Sequence, residues 1–196
     1  MWPRVTGLRA AGRERVAVEV DGEQWRTLPA EVVLRAGLAA GVELERPLLR
    51  RLRRELRRHL ALATATRALR ARPLSARALD ERLRRRRFVP RERAAALAVL
   101  QQAGFIDDER FASARAAALA ERHSGDALIR HDLRHQGIDE DTIEQAVSSL
   151  QPESVRAVRA AASRTSPIAK ARYLARRGFE DGAIEAAVGD AVAEEP

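Results

Sequence analysis

The 196-residue chain has no cysteine. That excludes a disulfide framework and a thiol nucleophile. Aromatic residues are only 4% of the sequence, two Trp, one Tyr and four Phe. Any core must therefore be built from Leu, Ala, Val and Ile, a composition that favours helices over sheets. Lys170 is the single lysine, so arginine is the general cation. No apolar run is long enough to cross a bilayer, and the N-terminus lacks the basic-then-apolar shape of a signal peptide. The expectation is a cytoplasmic protein without membrane contact. Phosphate-cradling glycine loops and nucleophile elbows are also missing.

Apolar residues make up 45% of the chain, enough for a core. The length suits one medium domain or a string of small ones. The net charge of +8 is unevenly placed. Residues 46–93 hold 18 arginines against four acids, a net of +14; residues 1–45 carry −1 and residues 94–196 carry −5. Such a segment fits a polyanion or an acidic protein surface, or else forms a solvated arginine face. The arginines expected at a partner or nucleic-acid interface are Arg50, Arg51, Arg53, Arg54, Arg57 and Arg58, with the run Arg84, Arg85, Arg86 and Arg87.

Residues 1–45 read as a small β-rich segment. Arg15 to Val20 alternates in strand fashion, and Asp21-Gly22 then signals a hairpin. Glu23 to Leu28 returns, Arg4 to Arg9 adds a third strand, and a short helix from Pro29 ends near Gly37 or Gly41. A long helix follows over 48–71, with Leu49, Leu52, Leu56 and Leu60 on one face. An internal repeat comes next. Leu83, Leu133 and Leu174 are each followed five residues later by Phe88, Ile138 and Phe179, and twelve residues after those come Leu100, Leu150 and Ala191. With helices over 48–71, 107–122 and 153–165 before each copy, the fold class is mainly α. It consists of three tandem three-helix, helix–turn–helix-like repeats in an elongated, curved molecule, preceded by the β-rich segment. The divisions fall at 1–45, 46–104 (strongly basic), 105–150 and 151–196. One departure is Arg87, which stands where the later copies have Gly137 and Gly178.

The stretch Gly104-Phe105-Ile106-Asp107-Asp108-Glu109-Arg110-Phe111-Ala112 organises the array. Gly104 suits a left-handed helix ending, Asp107 suits a cap on the next helix, and Asp108 and Glu109 complement that helix's positive end. Ile106 and Phe111 are spaced as a hydrophobic staple. Phe88, Phe105, Ile106, Phe111, Ile138 and Phe179 are expected to be buried.

No constellation argues for catalysis, so the chain is read as a non-enzyme with no catalytic residues, metal ligands or cofactor. His131 and His135 share a helix face, but no third ligand lies nearby in sequence. Asp139, Glu140 and Asp141 sit at a helix start, where capping accounts for them, and Ser75, Ser124 and Ser166 also stand at helix starts. The helix–turn–helix pattern leaves a second reading open, a DNA-binding transcriptional regulator.

Three pieces of sequence resemble the RecX family of recombinase regulators. They are the corner at Gly104–Ala112, the stretch Arg72-Pro73-Leu74-Ser75-Ala76-Arg77-Ala78-Leu79, and Gly125-Asp126-Ala127-Leu128-Ile129 followed by Leu133 and Gly137-Ile138. The resemblance covers about residues 60–150 well and the last repeat less well. It implies a regulatory protein that binds RecA recombinase and the filament RecA forms on single-stranded DNA. Such a protein limits filament extension and strand exchange, and so regulates recombinational repair within the SOS response. It further implies a monomer acting without a cofactor, with direct contact to single- or double-stranded DNA phosphates possible. Gly104, Phe105, Ile106, Asp107, Asp108, Arg110, Phe111 and Ala112 carry the family motif as structural residues.

Overall fold

The structure, a computed structural model, describes residues 1–193, with side chains through Gly189. Ala191 of the repeat pattern therefore lies outside the described side chains, and residues 194–196 of the expected third division lie outside the described residues. Packing divides the chain into two compact units, Met1–Arg70 with Arg82–Val99, and Ala71–Glu81 with the residues from Leu100 on.

Unit 1 opens with an antiparallel meander of β1 (Val5–Ala10), β2 (Arg15–Val20) and β3 (Glu23–Pro29), in the order β1-β2-β3. Alternation sends Val18 inward, while Asp21 and Gly22 turn the hairpin with φ of 50° and 87°. Three strands this short are not left to stand alone. The sheet instead shares one cluster with α1 (Ala30–Ala36) and α2 (Arg46–Ala71), in which Val5, Val18, Leu28, Val32 and Leu52 are buried. The long helix keeps Leu52 inside and Leu49 and Leu56 partly so. Leu60, expected on that face, is 44% exposed; the buried stripe passes to Ala61, Ala65 and Ala68. At 3.6 residues per turn a straight stripe drifts round the helix, and small alanines take the closely packed positions.

Eight further helices follow among the described residues: α3 (Ala76–Arg85), α4 (Pro90–Gln102), α5 (Asp108–Glu121), α6 (Asp126–Gln136), α7 (Glu140–Ser148), α8 (Glu153–Ala161), α9 (Pro167–Arg176) and α10 (Asp181–Ala193). With α2 they make three tandem helix triplets, α2–α4, α5–α7 and α8–α10. In unit 2, Ile129, Leu133, Ile138 and Ile143 form the core of the middle triplet, and Ala157, Leu174 and Phe179 that of the last. α8 stops at Ala161, short of the expected 165, because the chain must be extended at Ser166 before Pro167 opens α9.

The five-residue spacing seen in the sequence is a backbone bond. The N–H of Phe88 donates to the carbonyl of Leu83 (3.3 Å), that of Ile138 to Leu133 (3.2 Å) and that of Phe179 to Leu174 (3.1 Å). The residue between, Arg87, Gly137 or Gly178, has φ of 60°, 78° or 76° and closes a second bond, so each corner is a Schellman helix ending. Val33–Leu38, Leu100–Phe105 and Leu119–Ser124 repeat the pattern about Gly37, Gly104 and His123.

The Gly104 corner departs from expectation at two aromatic residues. Phe105 is 65% exposed, while Phe88, Ile106, Ile138 and Phe179 are buried and Phe111 is half-buried against the middle core. In this corner the N–H groups of Phe105 and Ile106 both bond to the Leu100 carbonyl, at 2.9 and 3.3 Å. The extra residue moves the inward position one step along, from Phe105 to Ile106.

Candidate partner interface

The arginine-rich surface belongs to unit 1. On α2, Arg50, Arg51, Arg53, Arg54 and Arg58 are exposed around the buried Leu52. All five expose their cationic side chains to solvent. Arg57 is different. Its guanidinium donates to both oxygens of Glu92 at 3.0–3.3 Å and to the main-chain carbonyl of Arg87 at 2.8 Å, and stands 4.7 Å from the centre of the Phe88 ring. Glu92 in turn accepts the N–H of Val89 at 3.1 Å, securing the start of α4.

Arg57 therefore fastens the corner after α3 to the middle of α2. This brings the exposed run Arg84, Arg85, Arg86 and Arg87 onto the same body as the α2 arginines. Arg87 occupies the left-handed position with φ of 60°, which costs a non-glycine residue about 1 kcal/mol. In exchange the corner carries a cation where the other two triplets have glycine. The last turn of α3 also holds Arg82, Arg84 and Arg85 against the negative end of the helix.

The family-motif residues build a joint within unit 2. Asp107 caps α5 by accepting the N–H of Arg110 at 2.8 Å, and the Arg110 side chain donates to the Gly104 carbonyl at 2.9 Å. Asp108 accepts the N–H of Ala76 at 2.9 Å, at the start of α3. Ser75 caps α3 through the N–H of Ala78 (3.1 Å), and its own hydroxyl donates to the Gln136 carbonyl at 2.6 Å. Ala112, one turn further along α5, is fully buried in the core of the middle triplet.

A second joint copies the first. Glu153, the first residue of α8, accepts the N–H of Asp126 at 2.6 Å and that of Glu180 at 3.2 Å. The N–H of Gly125 donates to the Arg177 carbonyl at 2.8 Å, in the place taken by Ser75 and Gln136 in the first joint. Arg156, only 7% exposed, pairs with Asp126 and donates to the carbonyls of Ser124 (3.1 Å) and Gln151 (2.9 Å). Arg177 donates to the His123 carbonyl at 2.8 Å. Burial pushes the Glu153 carboxyl above the usual carboxylate range, while the Arg115 guanidinium at 2.9 Å holds Asp132 below it.

None of the pairings between helices was read from the sequence. Ser75 and Asp108 were singled out only as residues at helix starts, and Glu153 was not singled out. The His pair falls outside both joints. His131 and His135 are exposed on α6 beside Asp132, whose carboxylate is taken by Arg115. Asp139 caps α7 through Thr142 at 3.0 Å and Glu140 pairs with Arg134. Among the described residues no group of three or more metal-ligating side chains is assembled.

The comparisons with known proteins fit this architecture. The family model described as RecX, second three-helix domain, matches residues 107–147, the triplet α5–α7. A regulatory protein RecX from Thermobifida fusca (strain YX) is 35% identical over 141 residues, covering 64% of this chain and 72% of the relative. This chain belongs to the RecX family. A second RecX regulatory protein, from Halorhodospira halophila (strain DSM 244 / SL1), is 29% identical over 137 residues, covering 65% of this chain and 85% of its own. A crystal structure of regulatory protein RecX shares the fold with a TM-score of 0.82 at 18% identity, over 96% of this chain and 99% of its own. RecX from Lactobacillus salivarius aligns at 0.65 and 15% identity, over 70% and 97%. No helix among the described residues is long and apolar enough to cross a membrane.

Proposed function

We propose that this RecX-family chain binds RecA recombinase and its filament on single-stranded DNA, and thereby restrains filament extension and strand exchange. Within this reading residues 46–104, 105–150 and 151–196 act as three successive modules of one monomer. The observation that carries it is the Arg57 fastening. One body presents five exposed arginines of α2 together with Arg84 to Arg87. A filament groove offers phosphates and acidic side chains together, and a cationic surface raises the rate of encounter with either. Phosphate contacts to a single strand also give a log–log salt slope of about −0.7 per phosphate neutralised.

The test compares the parent with a variant carrying Arg84→Ala, Arg85→Ala, Arg86→Ala and Arg87→Ala together. Binding is measured on random duplex, bare single strand and RecA-coated single strand. The expected result is preference of the parent for the coated strand. The variant, folded by circular dichroism, binds it more weakly, with a flatter salt slope and relief of strand-exchange inhibition. A parent that prefers duplex to coated strand overturns the reading in favour of a helix–turn–helix DNA-binding regulator. A folded variant that inhibits as well as the parent at every salt concentration removes the arginine run from the interface.

A further inference from the structure

Both tryptophans of the chain open onto one groove of unit 1. The groove holds about 530 Å3 and lies between the β2–β3 hairpin, the N-terminal residues and the start of α2. Trp2 and Trp25 are 43% and 36% exposed, and Leu44 and Leu49 lie beside them in the lining. Asp21 and Glu23 supply carboxylates, and no arginine is among the lining residues, although the chain has 36 basic residues.

The backbone places Trp25 there by an irregularity. β2 and β3 pair Val18 with Arg26 and then Glu19 with Gln24, so Trp25 has no partner in the ladder. A bulged residue of this kind bends the strand and re-aims its side chain, and sheets use such bulges next to binding sites. The ring already attracts one cation, since the Arg26 guanidinium stands 5.5 Å from its centre. Indole faces beside two carboxylates favour a cation with apolar neighbours. They disfavour a nucleic-acid strand, whose phosphates would meet the carboxylates of Asp21 and Glu23.

We propose that this groove docks an extended segment of a protein partner in which an arginine or lysine lies between apolar residues. The cation would sit against an indole and the carboxylates, and its neighbours against Leu44 and Leu49. The groove shares no lining residue with the arginine surface assigned to the filament, so the two proposals stand or fall separately.

The chain provides its own probe, because Trp2 and Trp25 are its only indoles. The full chain is titrated with an acetylated apolar hexapeptide carrying one central arginine, with the same peptide carrying glutamate there, and with a short oligothymidine. Its emission is also followed on dilution without any addition. The expected result is a saturable shift with the arginine peptide alone. Glu23→Gln weakens that binding about fivefold. Trp25→Leu removes most of the shift while the far-ultraviolet dichroism is unchanged. Four outcomes overturn the proposal: equal response to the glutamate peptide, no response to the arginine peptide, a response to oligothymidine only, or a shift on dilution alone. The last would assign the groove to a second copy of the chain.

Discussion

The carboxylate of Asp108 accepts the main-chain N–H of Ala76 at 2.9 Å, across 32 residues of sequence. Each of these residues is the first of a helix, Ala76 of α3 and Asp108 of α5. The same arrangement recurs between Asp126, first of α6, and Glu153, first of α8. A helix that opens one triplet thus satisfies an N-terminal donor of the middle helix of the triplet before it, one of the groups that a helix cannot satisfy itself.

Removing either acid should cost what removing a cap costs. Asp108→Ala and Glu153→Ala are each expected to destabilise by about 1–2 kcal/mol in urea unfolding. Losses below about 0.3 kcal/mol for both would show that water replaces them and that the joints rest on apolar packing alone.

Two glycines separate steric from conformational cost. A Cβ on Gly125 would lie 2.2 Å from the Gly178 oxygen and the Phe179 nitrogen, both main-chain atoms. Gly125→Ala should therefore cost about 2–3 kcal/mol by forcing the second joint apart. Gly104 has φ of 70° and open space around it, so Gly104→Ala should cost only the left-handed penalty of about 1 kcal/mol. Thermal melts giving the reverse order would refute the close backbone approach.

At the same corner, adjacent residues should respond oppositely. Ile106→Ala is expected to lose about 2–4 kcal/mol, in the range for buried aliphatic truncation. Phe105→Ala should stay within about 0.5 kcal/mol of the parent, as exposed substitutions do. A large loss at Phe105 would mean that its ring is covered in solution.

Acid titration should distinguish two carboxylates by sign. Asp132, held low by Arg115, contributes stability that is present above the unfolded value of about 3.9 and is lost as pH falls through its lower folded value. Glu153, raised mainly by burial, works the other way. Its contribution is greatest below the unfolded value of about 4.3 and declines as pH rises through the folded value. Melting temperatures from pH 7 to 3 should show the deficit of Asp132→Asn shrinking toward acid and that of Glu153→Gln growing. Parallel curves for the two variants would contradict both assignments.

The sequence disclosed what is local. The Leu83–Phe88, Leu133–Ile138 and Leu174–Phe179 spacings were legible because each is a Schellman ending, in which a leucine and an apolar residue bracket a left-handed turn. The hairpin at Asp21-Gly22 and the caps at Asp107 and Ser75 were legible for the same reason. The choice between neighbours was not. Whether Phe105 or Ile106 turns inward, or Leu60 or Ala61, depends on which side the next helix packs, and both members of each pair are apolar. Arg57 looked like any other arginine of α2. Its role rests on Glu92, 35 residues on, and no periodicity within a helix reports a partner at that distance.

The joint between triplets also sets an order in time. Ala76 leaves the ribosome 32 residues before Asp108, and Asp126 leaves 27 residues before Glu153. At about 5–20 residues per second, each middle helix waits a few seconds for the acid that completes it. A nascent chain paused after α4 has every local turn it needs but an open N–H at Ala76. The first and second triplets are thus each completed only by the arrival of the next.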